Sequence, residues 1–146
     1  MEFDIEQTDE LLSTTRAVRL RLDLERDVPD DLLLRCIELA EQAPTGAGVS
    51  SRRWLVIRDQ ETKSRLAELY RAAGGSRMID RSQQRGKAED LQERVADSAA
   101  HLAANLEKVP VLVLATIWGV HDGSGRPGLF DSVIQAAWSF CLALRA

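Results

Sequence analysis

The sequence predicts one helix-rich domain that combines helices with a small sheet, and three observations carry that expectation. Several long segments repeat apolar residues at helical spacing. Two short runs, "RWLVIRD" and "VPVLVLATIWG", are continuously apolar at their centres, as buried strands are. The composition, 146 residues with 45% apolar and 29% charged, suits a single domain able to bury a core. No repeat, low-complexity tract or linker divides the chain, so residues 1–146 read as one domain.

The elements follow in order. "DIEQTDELLSTTRAVRL" opens with acidic residues, which favour a helix N-terminus, and turns basic at its end. That helix should stop between Thr14 and Arg16, leaving Arg19 to Leu24 as an extended link. "VPDDLLLRCIELAEQA" predicts a second helix with Pro29 in its first turn, one apolar stripe through Leu33, Cys36, Ile37 and Ala40, and a stop at Pro44. Arg53 to Asp59 forms the first strand, expected to be buried on both faces. "ETKSRLAELYRAAGG" is a third helix closed by Gly74 and Gly75. "SRMIDRSQQRGK" is too polar to assign and reads as a mobile helix or a cover loop. A long fourth helix, "AEDLQERVADSAAHLAANLEKV", places Leu91, Val95, Ala99, Leu102 and Leu106 on one side. The second strand follows, then a loop, "VHDGSGRPGLF", and a fifth helix, "DSVIQAAWSFCLALRA". That last helix is apolar around most of its circumference and belongs in a domain centre or an interface. It ends without a Gly or Asn stop, and two strands make a marginal sheet. The complete fold is therefore expected to continue beyond Ala146.

Several function classes are disfavoured. The net charge of −4 offers no global field for nucleic acid or anionic membrane. The acidic N-terminus lacks the apolar core of a signal peptide, and no apolar stretch approaches the roughly 20 residues that span a bilayer. A cytoplasmic location follows as the expectation. Cys36 and Cys141 both lie in apolar helical patterns and read as small core residues, with no disulfide or metal site. His101 and His121 lack Cys or carboxylate neighbours at ligand spacing. No G-x-S-x-G and no cysteine at a helix N-terminus marks a nucleophile.

Two segments retain binding potential. In "TTRAVRLRL", Arg16 and Arg19 lie three residues apart at a helix end. Their guanidinium forks suit a phosphate, or they complement the helix dipole and aid solubility. In "QAPTGAGVSSRRWLVI", glycines separate a helix from a strand. They ease a turn, or they expose backbone N–H groups of Thr45, Gly46 and Gly48 to an anion or polar ring. Trp54 and Trp138 are expected in the core, and Trp118 at a pocket wall.

Taken together, "TTRAVR", "VPDDLLLRCIELAEQAPTG" and "RRWLVIRD" resemble the nitroreductase family of flavoproteins in order and spacing. "DSAAHLAANLEKVPVLVLATI" and "DSVIQAAWSFCLALRA" resemble its long central helix, second strand and following helix. The resemblance covers Thr14 to Ala146 and implies an α+β fold with a central, mainly antiparallel sheet flanked by helices, whose C-terminal strands are missing from this chain. It implies FMN as cofactor, an intertwined homodimer, and hydride transfer from NAD(P)H to nitroaromatics, quinones or other electron-poor acceptors. The flavin would carry the chemistry, so no catalytic side chain is assigned. By the same resemblance Arg16, Ala17 and Arg19 meet the FMN phosphate, while Pro44, Thr45 and Gly46 form the flavin-facing loop. Three positions depart from the family pattern: Gly48 stands for asparagine, Ser50 for glutamine and Arg52 for tryptophan. Gly48 offers only backbone to the flavin edge, and Arg52 is expected to add charge near an anionic cofactor. A flavin-free relative, kept as a binding or dimerisation protein, is the alternative these departures raise.

Overall fold

The computed structural model describes residues 4–45, 50–85, 87–119 and 128–146. It contains helices α1 (Ile5–Thr14), α2 (Asp30–Ala40), α3 (Gln60–Tyr70), α4 (Ser76–Arg85), α5 (Leu91–Asn105) and α6 (Gly128–Arg145). Strands β1 (Arg52–Ile57) and β2 (Leu112–Ile117) pair as a two-stranded sheet. Trp118 N–H donates to Ser51 O at 2.7 Å and Thr116 Oγ1 donates to Arg53 O at 2.9 Å. Numbers rise on one strand as they fall on the other, so the pairing is antiparallel. The helix-rich α+β class expected from the sequence is the class observed.

Helix starts follow local chemistry. Asp4, Asp59 and Asp90 each accept a hydrogen bond from the backbone N–H three residues on, at 3.0, 2.7 and 2.8 Å. Each satisfies one of the otherwise unpaired donors of a first turn. Helix α1 ends at Thr14, within the expected span, and Pro29 precedes α2. Helix α2 stops at Ala40, earlier than Pro44 would require, because residues 41–43 tighten into turns.

The chain divides into two compact units. The first comprises Met1–Arg16, Val28–Val56 and Val113–Ala146. Its core is the packing of α2 on α6, where Leu33, Cys36 and Ala40 are buried on one helix and Ala136 and Phe140 on the other. Of the stripe expected on α2, Leu33, Cys36 and Ala40 are buried and Ile37 is half-buried. Arg145 of α6 ties α1 to the same unit by donating to Thr15 Oγ1 at 3.2 Å.

The second unit comprises Ala17–Asp27 and Ile57–Leu112. Small residues set its packing: Gly75 lies where an added Cβ would stand 3.1 Å from Tyr70 O and 3.2 Å from Ala103 Cβ. Gly74, at φ +139°, turns the chain out of the widened helical turn Arg71–Gly75 into α4. The polar segment left open between helix and cover loop is thus a helix, and α4 packs on α5. Arg85 pairs with Asp97 there, and Ser82 Oγ donates to Asp97 Oδ1 at 2.6 Å. Lys63 is buried and donates to Val109 O at 2.8 Å.

Several burial expectations are corrected. Leu55 in β1 is 50% exposed and Val56 is exposed too, since a two-stranded ribbon cannot cover both faces of either strand. On α5 the buried residues are Ala100 and Ala103, while Leu91 and Val95 are exposed: alanines allow close approach to Gly75, and the larger side chains lie off that face. Helix α6 buries one face, leaving Ile134, Trp138 and Leu144 exposed. Trp138 (48% exposed) and Cys141 are therefore not core residues. Helix α6 also begins at Gly128, inside the segment expected to be loop. The rest of that loop, including His121, lies outside the described residues.

Candidate functional site

The residues from Glu41 to Trp54 form the best-defined polar constellation of the first unit. Strand alternation places Arg52 and Trp54 on one face of β1 and Arg53 and Leu55 on the other. With Trp54 turned inward, Arg52 must follow it. Its side chain is only 1% exposed.

A buried guanidinium is costly unless its donors are matched, and here they are. Arg52 Nε lies 3.3 Å from Ser50 Oγ and 3.2 Å from Glu41 Oε1. Its Nη1 donates to Ser132 O at 3.2 Å. Its Nη2 donates to Glu41 O and Ala43 O, both at 3.1 Å. Those two carbonyls lie at the unwinding end of α2, where a cation complements the helix dipole. Glu41 is the matching anion. Its Oε1 also accepts from Trp54 Nε1 at 2.7 Å, and its Oε2 accepts from Ser50 Oγ at 2.8 Å.

Burial opposes ionisation of Glu41, but the hydrogen bonds from Trp54 and Ser50 and the charge of Arg52 outweigh it, so its pKa falls below the usual carboxylate range. A lowered folded-state pKa means that the carboxylate stabilises the fold fully above the unfolded value of about 4.3. That stability is lost as pH falls through the folded pKa. Urea unfolding midpoints between about pH 3 and pH 6 should therefore fall more steeply at the acid end for wild type than for Glu41→Gln. Parallel profiles would show that Glu41 makes no such contribution.

The expected cofactor residues are distributed unevenly. Arg16 and Ala17 are exposed, and Arg16 Nη1 donates to the Thr15 carbonyl at 2.8 Å. Arg19 is half-buried and donates to Ser98 Oγ at 3.3 Å. Arg16 belongs to the first unit, with Pro44 and Thr45, whereas Ala17 and Arg19 belong to the second. Pro44 is exposed and Thr45 half-buried, and Gly46, Ala47 and Gly48 lie outside the described residues. Arg52 does not add charge toward a cofactor: its guanidinium is turned inward and paired. Trp118 is 75% exposed.

Sequence reasoning missed Glu41 and Ser132 as partners of Arg52. The signal available was the strand period: two adjacent arginines before an inward tryptophan place one of them inside. A separate cavity, lined by Asp4, Gln7, Glu10, Leu11 and Arg145 among others, also lies among the described residues. No group of His, Cys, Asp or Glu among the described residues is arranged to hold a metal ion. Burial pushes the Cys36 thiol up, against the opposing pull of Arg35, and so away from a reactive thiolate. No helix among the described residues is long and apolar enough to cross a membrane.

Comparison with known proteins places this geometry in context. A family model described as the nitroreductase family matches residues 12–146. Among solved structures, a BluB-like flavoprotein from Clostridium difficile 630 matches with a TM-score of 0.60 at 20% identity, over 96% of this chain and 69% of that one. At that identity the likeness concerns the fold. No curated protein matches the chain.

Proposed function

The chain belongs to the nitroreductase family and has its fold, and from that premise we propose that it is an FMN-dependent oxidoreductase. The carrying observation is the family match over residues 12–146, which includes Arg16, Arg19 and the Pro44–Thr45 loop. The solved neighbour is itself described as a flavoprotein, which supports a flavin here. When bound, FMN supplies the transfer of hydride from NAD(P)H to nitroaromatic, quinone or similar electron-poor acceptors.

Arg16 has the chemistry for the anionic end of such a ligand. Arg16 is an exposed guanidinium with one nitrogen committed to the Thr15 carbonyl, and its planar fork suits a phosphate. Ala17 and Arg19, in the second unit, are assigned to the phosphate by the family pattern alone. By the family pattern Pro44, Thr45 and Gly46 are the positions assigned to the flavin ring, Gly46 lying outside the described residues. A homodimer, a cytoplasmic location and small-molecule partners, without nucleic acid or membrane, complete the reading.

Titrating FMN into the purified protein, followed by visible absorbance and flavin fluorescence, tests it. Saturable binding is expected, with Arg16→Gln weakening it about tenfold through loss of a charge-assisted contact. NADH and NADPH oxidation with quinone and nitroaromatic acceptors then tests turnover. A colourless protein that takes up no FMN defeats the reading. The second reading, a flavin-free binding or dimerisation protein on the same scaffold, is favoured by one observation: Ser50 and Arg52 are both turned onto Glu41. Dimerisation without FMN uptake is its signature.

A further inference from the structure

We propose that Arg52 is a positioning residue that clamps both stems of the loop between α2 and β1. The geometry carries this. On the entering stem the guanidinium holds the carbonyls of Glu41 and Ala43, each at 3.1 Å. On the returning stem it meets the Ser50 hydroxyl at 3.3 Å. Its remaining nitrogen holds the Ser132 carbonyl of α6 at 3.2 Å, so both stems are pinned to the helix that forms the unit's core. Glu41 closes the clamp by neutralising Arg52 at 3.2 Å and accepting from Ser50 at 2.8 Å and Trp54 at 2.7 Å.

Only a guanidinium can do this from one position. It spreads five donors over a plane and so reaches acceptors on three chain segments at once. A lysine ammonium keeps the charge but radiates its donors from a single atom. The side chains of Arg52 and Ser50 are engaged with the two stems and with Glu41, so neither is directed at a ligand. The side chain that a charge count would assign to ligand binding acts one step behind it, by fixing the stems at Glu41–Ala43 and Ser50. Which ligand the loop serves rests on the flavin reading above; the clamp itself rests on these distances.

The test uses the full chain and its Arg52→Lys and Arg52→Gln variants, with two readouts. Amide hydrogen exchange is followed at Ala43 and Trp118, whose N–H groups donate to Ala40 O on the entering stem and to Ser51 O on the returning stem, with residues 34–39 of α2 as the internal control. FMN affinity is measured by fluorescence titration. For Arg52→Lys, exchange at these two amides is expected to rise about tenfold or more while α2 stays within about twofold. The FMN dissociation constant should rise about tenfold, and further for Arg52→Gln. Exchange and affinity within about twofold of wild type for Arg52→Lys would overturn the proposal, as would a uniform rise across stems and α2. If Arg52→Gln does not fold, Arg52→Lys decides the matter alone. If wild type takes up no FMN the flavin reading fails, and the exchange readout still decides the clamp.

Discussion

Arg52→Trp, which installs the residue that the family pattern carries at this position, is expected to destabilise the protein by about 3–5 kcal/mol. Three backbone carbonyls, those of Glu41, Ala43 and Ser132, lose their donor together. An indole brings a single N–H, so at most one of them is recovered. The Glu41 carboxylate keeps Trp54 and Ser50 but loses the cation that offsets its burial. The new ring must also fit beside Trp54, which already packs against Phe140. Urea unfolding measures the loss. Arg53→Trp is the control, because Arg53 is exposed on the opposite face of β1, and it should change stability by about 0.5 kcal/mol or less. Equal effects at the two positions would contradict the burial argument. The same reasoning bears on restoring a family-like flavin loop: placing Asn, Gln and Trp at positions 48, 50 and 52 without neutralising Glu41 exchanges a satisfied network for an unsatisfied one.

What was legible in the sequence is what depends on local chemistry. The end of α1 at Thr14, the α2 stripe of Leu33, Cys36 and Ala40, and the turn at Gly74 follow from caps, period and glycine geometry. The family resemblance was legible as well, because it rests on the order of several segments rather than on one motif. Burial was less so. The apolar centre of β1 reads as a two-faced buried strand, yet whether a face is covered depends on what lies against it, which period alone does not encode. On α5, alanine carries little hydrophobic signal, so the Ala100 and Ala103 face was hidden behind the larger Leu91 and Val95. Arg52 was misread for a related reason. Charge suggests solvent or ligand, and only the pairing with Glu41, eleven positions away, makes an interior position tolerable.

Phe140→Ala is expected to cost about 3–5 kcal/mol, comparable to the loss at Arg52 but by a different mechanism. Phe140 is buried on α6, and its ring centroid lies 5.2 Å from that of Trp54 at a tilt of 36°. Removing it forfeits the transfer of the ring from water and leaves a cavity between α6 and β1, plus about 1 kcal/mol of aromatic pairing. The effect should not stop there. Trp54 also holds Glu41 through its indole N–H, so a tryptophan freed to move loosens the anion that faces Arg52. A cycle with Glu41→Gln should therefore be non-additive by about 0.5 kcal/mol or more, whereas independent sites add within less than that. Phe140→Leu, which refills most of the volume, should cost about 1.5 kcal/mol or less. Trp138→Ala provides the contrast on the same helix: it deletes a larger ring, but that ring is half exposed, so the loss should be about 1 kcal/mol. Equal losses at positions 138 and 140, read from urea midpoints at constant slope, would mean that the face of α6 turned toward β1 is not the face that holds the first unit together.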